Sequence, residues 1–383
     1  MIRRFTLALA LLLAACGTNP ALAVTPATPA TLAAVIATAR PGDVVQLAPG
    51  SYGPISISKR VFAPPLVITG KPGAVLKSVN ITYSEGITFD QVTVNAGPAP
   101  SSNTIAFRVY QAKRILLSDA VLVGGKAVTG ALPTATPPLP ASAKGNVIGY
   151  PSGKGTSFVG CTNCAIIGSD VSLFHTGIDF GNSPGMIVEG NFVHDVRTSP
   201  IKGAPEANTS IIGNVTKCST PWKYGGAGDH GDRLHIWADS GKIVTGLVIT
   251  GNQFLEAGCG PIMGIFIQSK IIPPATTGGK YAGAIVSGNT VAQSNGQAIV
   301  FSGMTGGSVA ADNILIWTQT NAGALTCKPG SVPCKTVPRL DIKSSRDLTV
   351  SGTRAFDAAM RPRAPVVTSV SAAMKAAGVV VLP

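Results

Sequence analysis

Apolar and polar positions alternate over short runs in this chain, and the runs are cut at intervals by a β-branched residue followed closely by Gly-Asn. Val188-Glu189-Gly190-Asn191, Ile212-Gly213-Asn214, Ile249-Thr250-Gly251-Asn252 and Val286-Ser287-Gly288-Asn289 carry this step, and Asp312-Asn313 is a degenerate copy. The asparagines are 23, 38, 37 and 24 residues apart. That describes a coil of about 23 residues, two copies of which carry about 14 more. Period-two alternation predicts strands. A fixed period of this size predicts stacked coils, because one coil cannot bury its own apolar face. The Leu-rich consensus of a leucine-rich repeat is absent, while short β-branched strands parted by Gly and Asn abound. The expected fold is all-β, a single-stranded parallel β-helix in which stacked Asn side chains at the turns satisfy one another's hydrogen bonds.

The ends agree. Residues 31–40 (TLAAVIATAR) read as a short amphipathic helix, and residues 371–377 (SAAMKAA) as a second one at the far end. Such helices would close the core tube and cover its open sheet edges. After the first helix come Pro41-Gly42-Asp43, the run Val44-Val45-Gln46-Leu47, and Gly50-Ser51-Tyr52. This succession resembles the right-handed parallel β-helix superfamily of pectate lyases and chondroitinase-B-like alginate lyases. The resemblance covers the chain at the level of architecture. It implies a right-handed coil with an N-terminal capping helix and loop insertions. Residues 131–141 (ALPTATPPLPA) and 217–229 (KCSTPWKYGGAGD) are two such insertions, expected to project from a rim and wall a groove.

Composition narrows the class. With 45 Gly and 29 Pro the chain is dense in turns, and 12% charged residues against 45% apolar ones exclude a disordered chain. No apolar run reaches the about 18 residues of a membrane-spanning helix. Arg3 and Arg4 precede an apolar run that ends in two competing cleavage signals. Leu13-Ala14-Ala15-Cys16-Gly17 resembles a lipoprotein box with Cys16 as the lipidated residue, whereas Ala21-Leu22-Ala23 suits ordinary secretion. Residues 1–23 are therefore expected to be an export signal and 24–383 the β-helix domain, in an outer-membrane lipoprotein or a periplasmic or secreted protein. Seven Cys less Cys16 leaves an even number, suited to an oxidising compartment. The expected pairs are Cys161–Cys164, Cys218–Cys259 and Cys327–Cys334. A monomer is expected, meeting a membrane only through an N-terminal lipid.

All four histidines lie between positions 175 and 235. Ile178-Asp179-Phe180, Ile201-Lys202-Gly203, Leu234-His235-Ile236, Ile265-Phe266-Ile267 and Ile299-Val300-Phe301 align as one strand in successive coils. Alternation turns the flanking apolar residues inward and the middle ones outward. Asp179, Lys202 and His235 then form an exposed column that continues to Phe266 and Val300. A slip of one residue would bury all three. The run Asp229-His230-Gly231-Asp232-Arg233-Leu234-His235-Ile236-Trp237 adds more polar groups. It loosely resembles the Asp-x-His-Asp/Glu signature of mannuronan epimerases, although Gly231 follows His230 where that pattern places Pro before the histidine.

A basic exported β-helix, formally +13 with its leader, points to an acidic polysaccharide as partner. On a uronate polymer the expected chemistry is β-elimination. A cation or protonated partner neutralises the carboxylate, a base removes the C-5 proton, and an acid protonates the leaving O-4. Lys202 or His235 is the candidate base, and His230 or Tyr224 the candidate acid. Asp232 would orient a histidine and Asp179 would tune Lys202. Arg197 and Arg233 would hold carboxylates, and His175, His194, Trp222 and Trp237 complete the candidate binding set. In the chondroitinase-B-like relatives a Lys base and an Arg act with calcium, and the resemblance implies Lys202 and Arg233 in those parts.

Blander readings stand beside these. His194-Asp195 is also a rim hydrogen-bonding pair, His175 a turn cap, and Trp237 and Tyr224 ordinary core or surface residues. Calcium is a candidate cofactor through Asp179, Asp229 and Asp232, but three carboxylates fall short of its usual oxygen count. Zinc through His230 and His235 is disfavoured, because an i,i+5 pair on one strand faces opposite ways. A uronate C-5 epimerase, a glycoside hydrolase using two of Asp179, Asp229 and Asp232, and a non-catalytic glycan-binding surface protein remain alternatives. Nucleic acid is disfavoured, since the basic residues are dispersed and no binding module is present.

Overall fold

The computed structural model describes residues 24–97, 104–125, 153–221, 223–224, 227–228, 231–238, 242–257, 259, 262–269, 280–293, 297–318, 339–357, 359–363, 366–368 and 370–382. The chain visits three sheets in strict rotation. Val44–Leu47 lies in sheet 1, Gly50–Tyr52 in sheet 2 and Ile55–Ser58 in sheet 3, and Val61–Gly70 returns to sheet 1. Among the described residues the sheets hold 13, 12 and 11 strands, each strand hydrogen-bonded to its counterpart one coil on. Within these three sheets pairing is parallel except where Pro362–Arg363 runs back antiparallel along Arg354–Phe356 at the end of sheet 2. The protein is a right-handed parallel β-helix.

Alternation builds the core. In sheet 1 the inward column runs Phe89, Leu117, Ile166, Val188, Ile211, Ile249, Val286, Ala310 and Val350, all at most 1% exposed. Only two residues separate sheet 1 from sheet 2 in the repeating coils, as Gly190-Asn191 does between Ile187–Glu189 and Phe192–Val196. The first turns the chain with a φ of +62° at Gly190, a conformation that favours glycine. The second supplies the stack expected from the sequence. Asn191 Nδ2 donates to Asn214 Oδ1, Asn214 to Asn252, Asn252 to Asn289 and Asn289 to Asn313, at 2.9–3.0 Å. Each of these asparagines is fully buried.

Helix α1 (Leu32–Thr38) caps the N-terminal end, burying Leu32 and Ile36. Its free carbonyls are met by Arg60, whose guanidinium donates to the oxygens of Ile36, Ala37 and Ala39 at 3.2, 3.1 and 2.9 Å. Helix α2 (Ala372–Ala376) covers the other end with Met374 buried and Ser371 as its side-chain cap. The expected helices are present, α1 shorter by one residue at its start and two at its finish.

Three long connections share one corner. Between the strands of sheets 2 and 3 lie 30 residues from Val123 to Lys154, 12 from Ser219 to Asp232 and 21 from Trp317 to Arg339. Of the two loop insertions expected from the sequence, residues 131–141 lie outside the described residues, and 217–229 begins later than expected, since Lys217 to Ser219 still belong to the sheet 2 strand Val215–Ser219. The disulfides Cys161–Cys164 and Cys218–Cys259 are formed. Cys16, Cys327 and Cys334 lie outside the described residues, as do residues 1–23, on which the expected export signal falls.

Candidate functional site

The register of sheet 3 is the one the alternation predicts. Asp179 pairs with Lys202, Lys202 with His235, His235 with Phe266 and Phe266 with Val300. Behind them Ile178, Ile201, Leu234, Ile265 and Ile299 are fully buried. The column continues toward the N-terminus through Ser157, Arg108 and Asn80.

Lys202 and His235 occupy neighbouring coils, about 4.8 Å apart at the backbone, and both are partly exposed. The Lys202 ammonium lies over the Trp237 ring, 5.1 Å from its centroid. His235 Nδ1 is 3.3 Å from Asp232 Oδ2. Its ring meets Trp237 edge-on at 5.5 Å and Phe266 at 5.4 Å. The strand Asp232–Ala238 thus supplies a histidine, a carboxylate behind it and an indole beside it. Asp232 has the position an orienting role requires.

Other candidates fall elsewhere. Asp179 was expected to tune Lys202, but its buried carboxylate is held by Lys154 Nζ at 2.7 Å and by the Ser157 hydroxyl at 3.1 Å. Arg197 and Arg233, expected to reach substrate carboxylates, are 1% and 0% exposed. The alternation rule fails at the corner between sheets 2 and 3. Arg233 falls between the pairs Asp232–Met263 and Leu234–Ile265, beside Gly264. A Cβ at Gly264 would run into Val291 and Gln293, which face the interior from sheet 2. At this bend an outward position turns inward. The Arg233 nitrogens make no hydrogen bond among the described residues. Burial pulls its guanidinium down to about 10, and the charge of buried Glu256 acts against that shift.

His194 lies on the outer face of sheet 2, round the corner from Lys202. Its Nδ1 is 2.6 Å from Asp195 and its Nε2 3.1 Å from Asp170, with Phe192 stacked on the ring at 4.4 Å. That is the rim pair of the blander reading. His175 Nδ1 sits 3.2 Å from the Thr176 hydroxyl, and its carbonyl accepts from Thr198 at 2.7 Å, a turn-stabilising arrangement. Tyr224 belongs to the short antiparallel ribbon of Lys223–Tyr224 and Ala227–Gly228. Trp222, Asp229 and His230 lie outside the described residues.

Among the described residues no group of three or more His, Cys, Asp or Glu side chains could hold a metal ion. Two of the three carboxylates proposed for calcium are described, and Asp179 faces Lys154 while Asp232 faces His235. The sequence reading passed over Lys154, Ser157 and Glu256. Lys154 and Ser157 stand in the coil before Asp179 on the same strand pattern, so aligning one coil further back would have found them.

No protein-family model and no curated protein sequence matches the chain. Among solved structures, it is similar to the Dettilon tailspike protein at 10% identity and a TM-score of 0.45, covering 88% of this chain and 64% of that one. A Yersinia enterocolitica family 28 exopolygalacturonase gives 9% identity, a TM-score of 0.48, and coverage of 90% and 78%. The A-module of the Azotobacter vinelandii mannuronan C-5 epimerase AlgE6 gives 11%, 0.45, and 93% and 94%.

Proposed function

We propose that this chain is an exported enzyme that cleaves a uronate-containing polysaccharide by β-elimination on the outer face of sheet 3. The observation that carries the reading is the Lys202–His235 register pair, with Asp232 behind the imidazole and Trp237 under the ammonium. Lys202 neutralises the uronate carboxylate, which lowers the barrier to losing the C-5 proton. His235, oriented by Asp232 at Nδ1, takes that proton at Nε2, an atom covered by its neighbours here that the seated polymer must reach. The electron pair forms the C-4–C-5 double bond, and the C-4–O-4 bond breaks, with a proton delivered to O-4 by the candidate acid, His230 or Tyr224. Trp237 offers an apolar face to the sugar ring. Hydrolysis is supported less well, because Asp179 and Asp232, the described carboxylates it would use, are both buried and engaged. The leader and two disulfides support export.

The test is ultraviolet absorbance of an unsaturated uronate, on alginate, pectate, glucuronan and glycosaminoglycans, with and without chelator. A rise on one polymer that falls at least about 100-fold in Lys202→Ala and in His235→Ala is the expected result. Near-wild-type rates in both variants, or no rise on any polymer, would overturn the reading. Solvent proton exchange without cleavage would replace it with epimerisation.

A further inference from the structure

Three coils toward the N-terminus of Lys202, the same outward column carries Arg108. Arg108 is exposed, has no carboxylate partner among the described residues, and lies over the Tyr110 ring at 5.6 Å. Tyr110 in turn meets Tyr83 edge-on at 5.8 Å. Tyr83 is 52% exposed and stands at a corner with a φ of +52°. One, two and three coils on, that corner carries Gln111, Gly160 and Asn182, and glycine and asparagine adopt such a backbone most readily. The counterparts of Tyr83 at that corner, Lys59 one coil back among them, are not aromatic, so the turn itself does not call for the exposed ring. Asn80, beside Arg108 in the preceding coil, adds an amide.

We propose that Arg108, Tyr110 and Tyr83 form a distal subsite for the same acidic polysaccharide, with the polymer laid along the axis of the tube. The proposal rests on the lyase reading for its ligand class. Arg108 presents a fork suited to a carboxylate, and the two tyrosines present rings and hydroxyls to a sugar. From Arg108 to Lys202 is about 14 Å at one strand spacing per coil, and an extended uronate chain advances by a comparable step per sugar. The one acid between them, Asp179, is neutralised by Lys154. The path from Arg108 to His235 thus offers no unpaired negative charge in its outward column.

The experiment is affinity electrophoresis of the mature protein through gels containing alginate or pectate, read as binding and not as turnover. Wild type, the triple variant Arg108→Ala/Tyr83→Ala/Tyr110→Ala, and Lys202→Ala/His235→Ala are compared, with circular dichroism and thermal melting to show that each is folded. The expected result is retardation of the wild type by at least one polymer and a loss of affinity of fivefold or more in the triple variant. A single Arg108→Lys variant, which keeps charge and loses the fork, should fall between them. A folded triple variant retarded like the wild type would overturn the subsite, as would a wild type retarded by neither polymer. Retardation without cleavage by the wild type would overturn the lyase reading while leaving the subsite standing.

Discussion

Lys154 Nζ lies 2.7 Å from Asp179 Oδ2, and the Ser157 hydroxyl donates to the same oxygen at 3.1 Å. The carboxylate is 10% exposed and the ammonium 33%, so the pair spans the boundary between core and groove. Removing the lysine leaves a mostly buried charge with one neutral donor. Lys154→Met should cost about 1.5–3 kcal/mol in urea unfolding, the range for a hydrogen bond to a charged group. Adding Asp179→Asn should recover most of that loss. If the double variant were no more stable than the single, the two side chains would not be coupled.

The asparagine stack should fail from the middle more severely than from its end. Asn252 donates to the Ile211 and Thr250 carbonyls and to Asn289, and accepts from the backbone and side chain of Asn214. Asn313 accepts from Asn289 and donates to the Val286 carbonyl. Asn252→Ala leaves several buried donors and acceptors unmet and should cost about 3 kcal/mol or more, at about 1–3 for each unsatisfied group. Asn313→Ala should cost visibly less in the same denaturant titration.

Fold and register were legible for a physical reason. A coil repeats one backbone problem, so Gly190, Gly213, Gly251 and Gly288 recur at the same bend and Asn191, Asn214, Asn252 and Asn289 recur behind them. The pairing of Lys202 with His235 was legible separately, from aligning the alternation of Ile201-Lys202-Gly203 with that of Leu234-His235-Ile236. The corner between sheets 2 and 3 was not legible, because it does not repeat. Its connections differ in length, and Arg233 turns inward where alternation points it outward. His194 was legible as a rim partner of Asp195, and the structure adds Asp170 of the preceding coil as its second partner.

Acid should loosen the C-terminal end first. Asp357 accepts from the Ala359 and Arg361 backbone N–H groups at 3.0 Å each, and from the Arg361 and Arg363 side chains at 2.8 and 2.7 Å. Burial alone would raise its carboxyl, but these hydrogen bonds outweigh that and hold it down to about 2. A carboxyl depressed in the folded state stabilises it above the ordinary value of 3.8, and that contribution fades as pH falls toward 2. The antiparallel ribbon of Arg354–Phe356 and Pro362–Arg363 should therefore become open to acid protease and hydrogen exchange between pH 4 and 2. In Asp357→Asn that exposure should already be present at pH 5 and change little on acidification.

Arg233 gives the sharpest contrast between a charge that meets substrate and one that holds the coil together. Burial depresses its guanidinium to about 10 from an ordinary 12.5, so the unfolded chain holds this proton more tightly and the buried cation opposes folding at neutral pH. What offsets it is the charge of Glu256, also fully buried. Arg233→Met removes the cation and leaves the buried Glu256 carboxylate to its other partners, the Thr318 hydroxyl among them, so it should destabilise the protein by about 1–3 kcal/mol. Arg233→Met with Glu256→Gln removes both charges, and its stability should return to within about 1 kcal/mol of the wild type. If Arg233 instead held substrate carboxylates, the double variant would be stable yet show a large rise in KM on the polymer that gives the ultraviolet signal. With the guanidinium shut inside the coil, KM should stay within about twofold of wild type once stability is restored, because rebinding a carboxylate through an arginine is worth more than that factor.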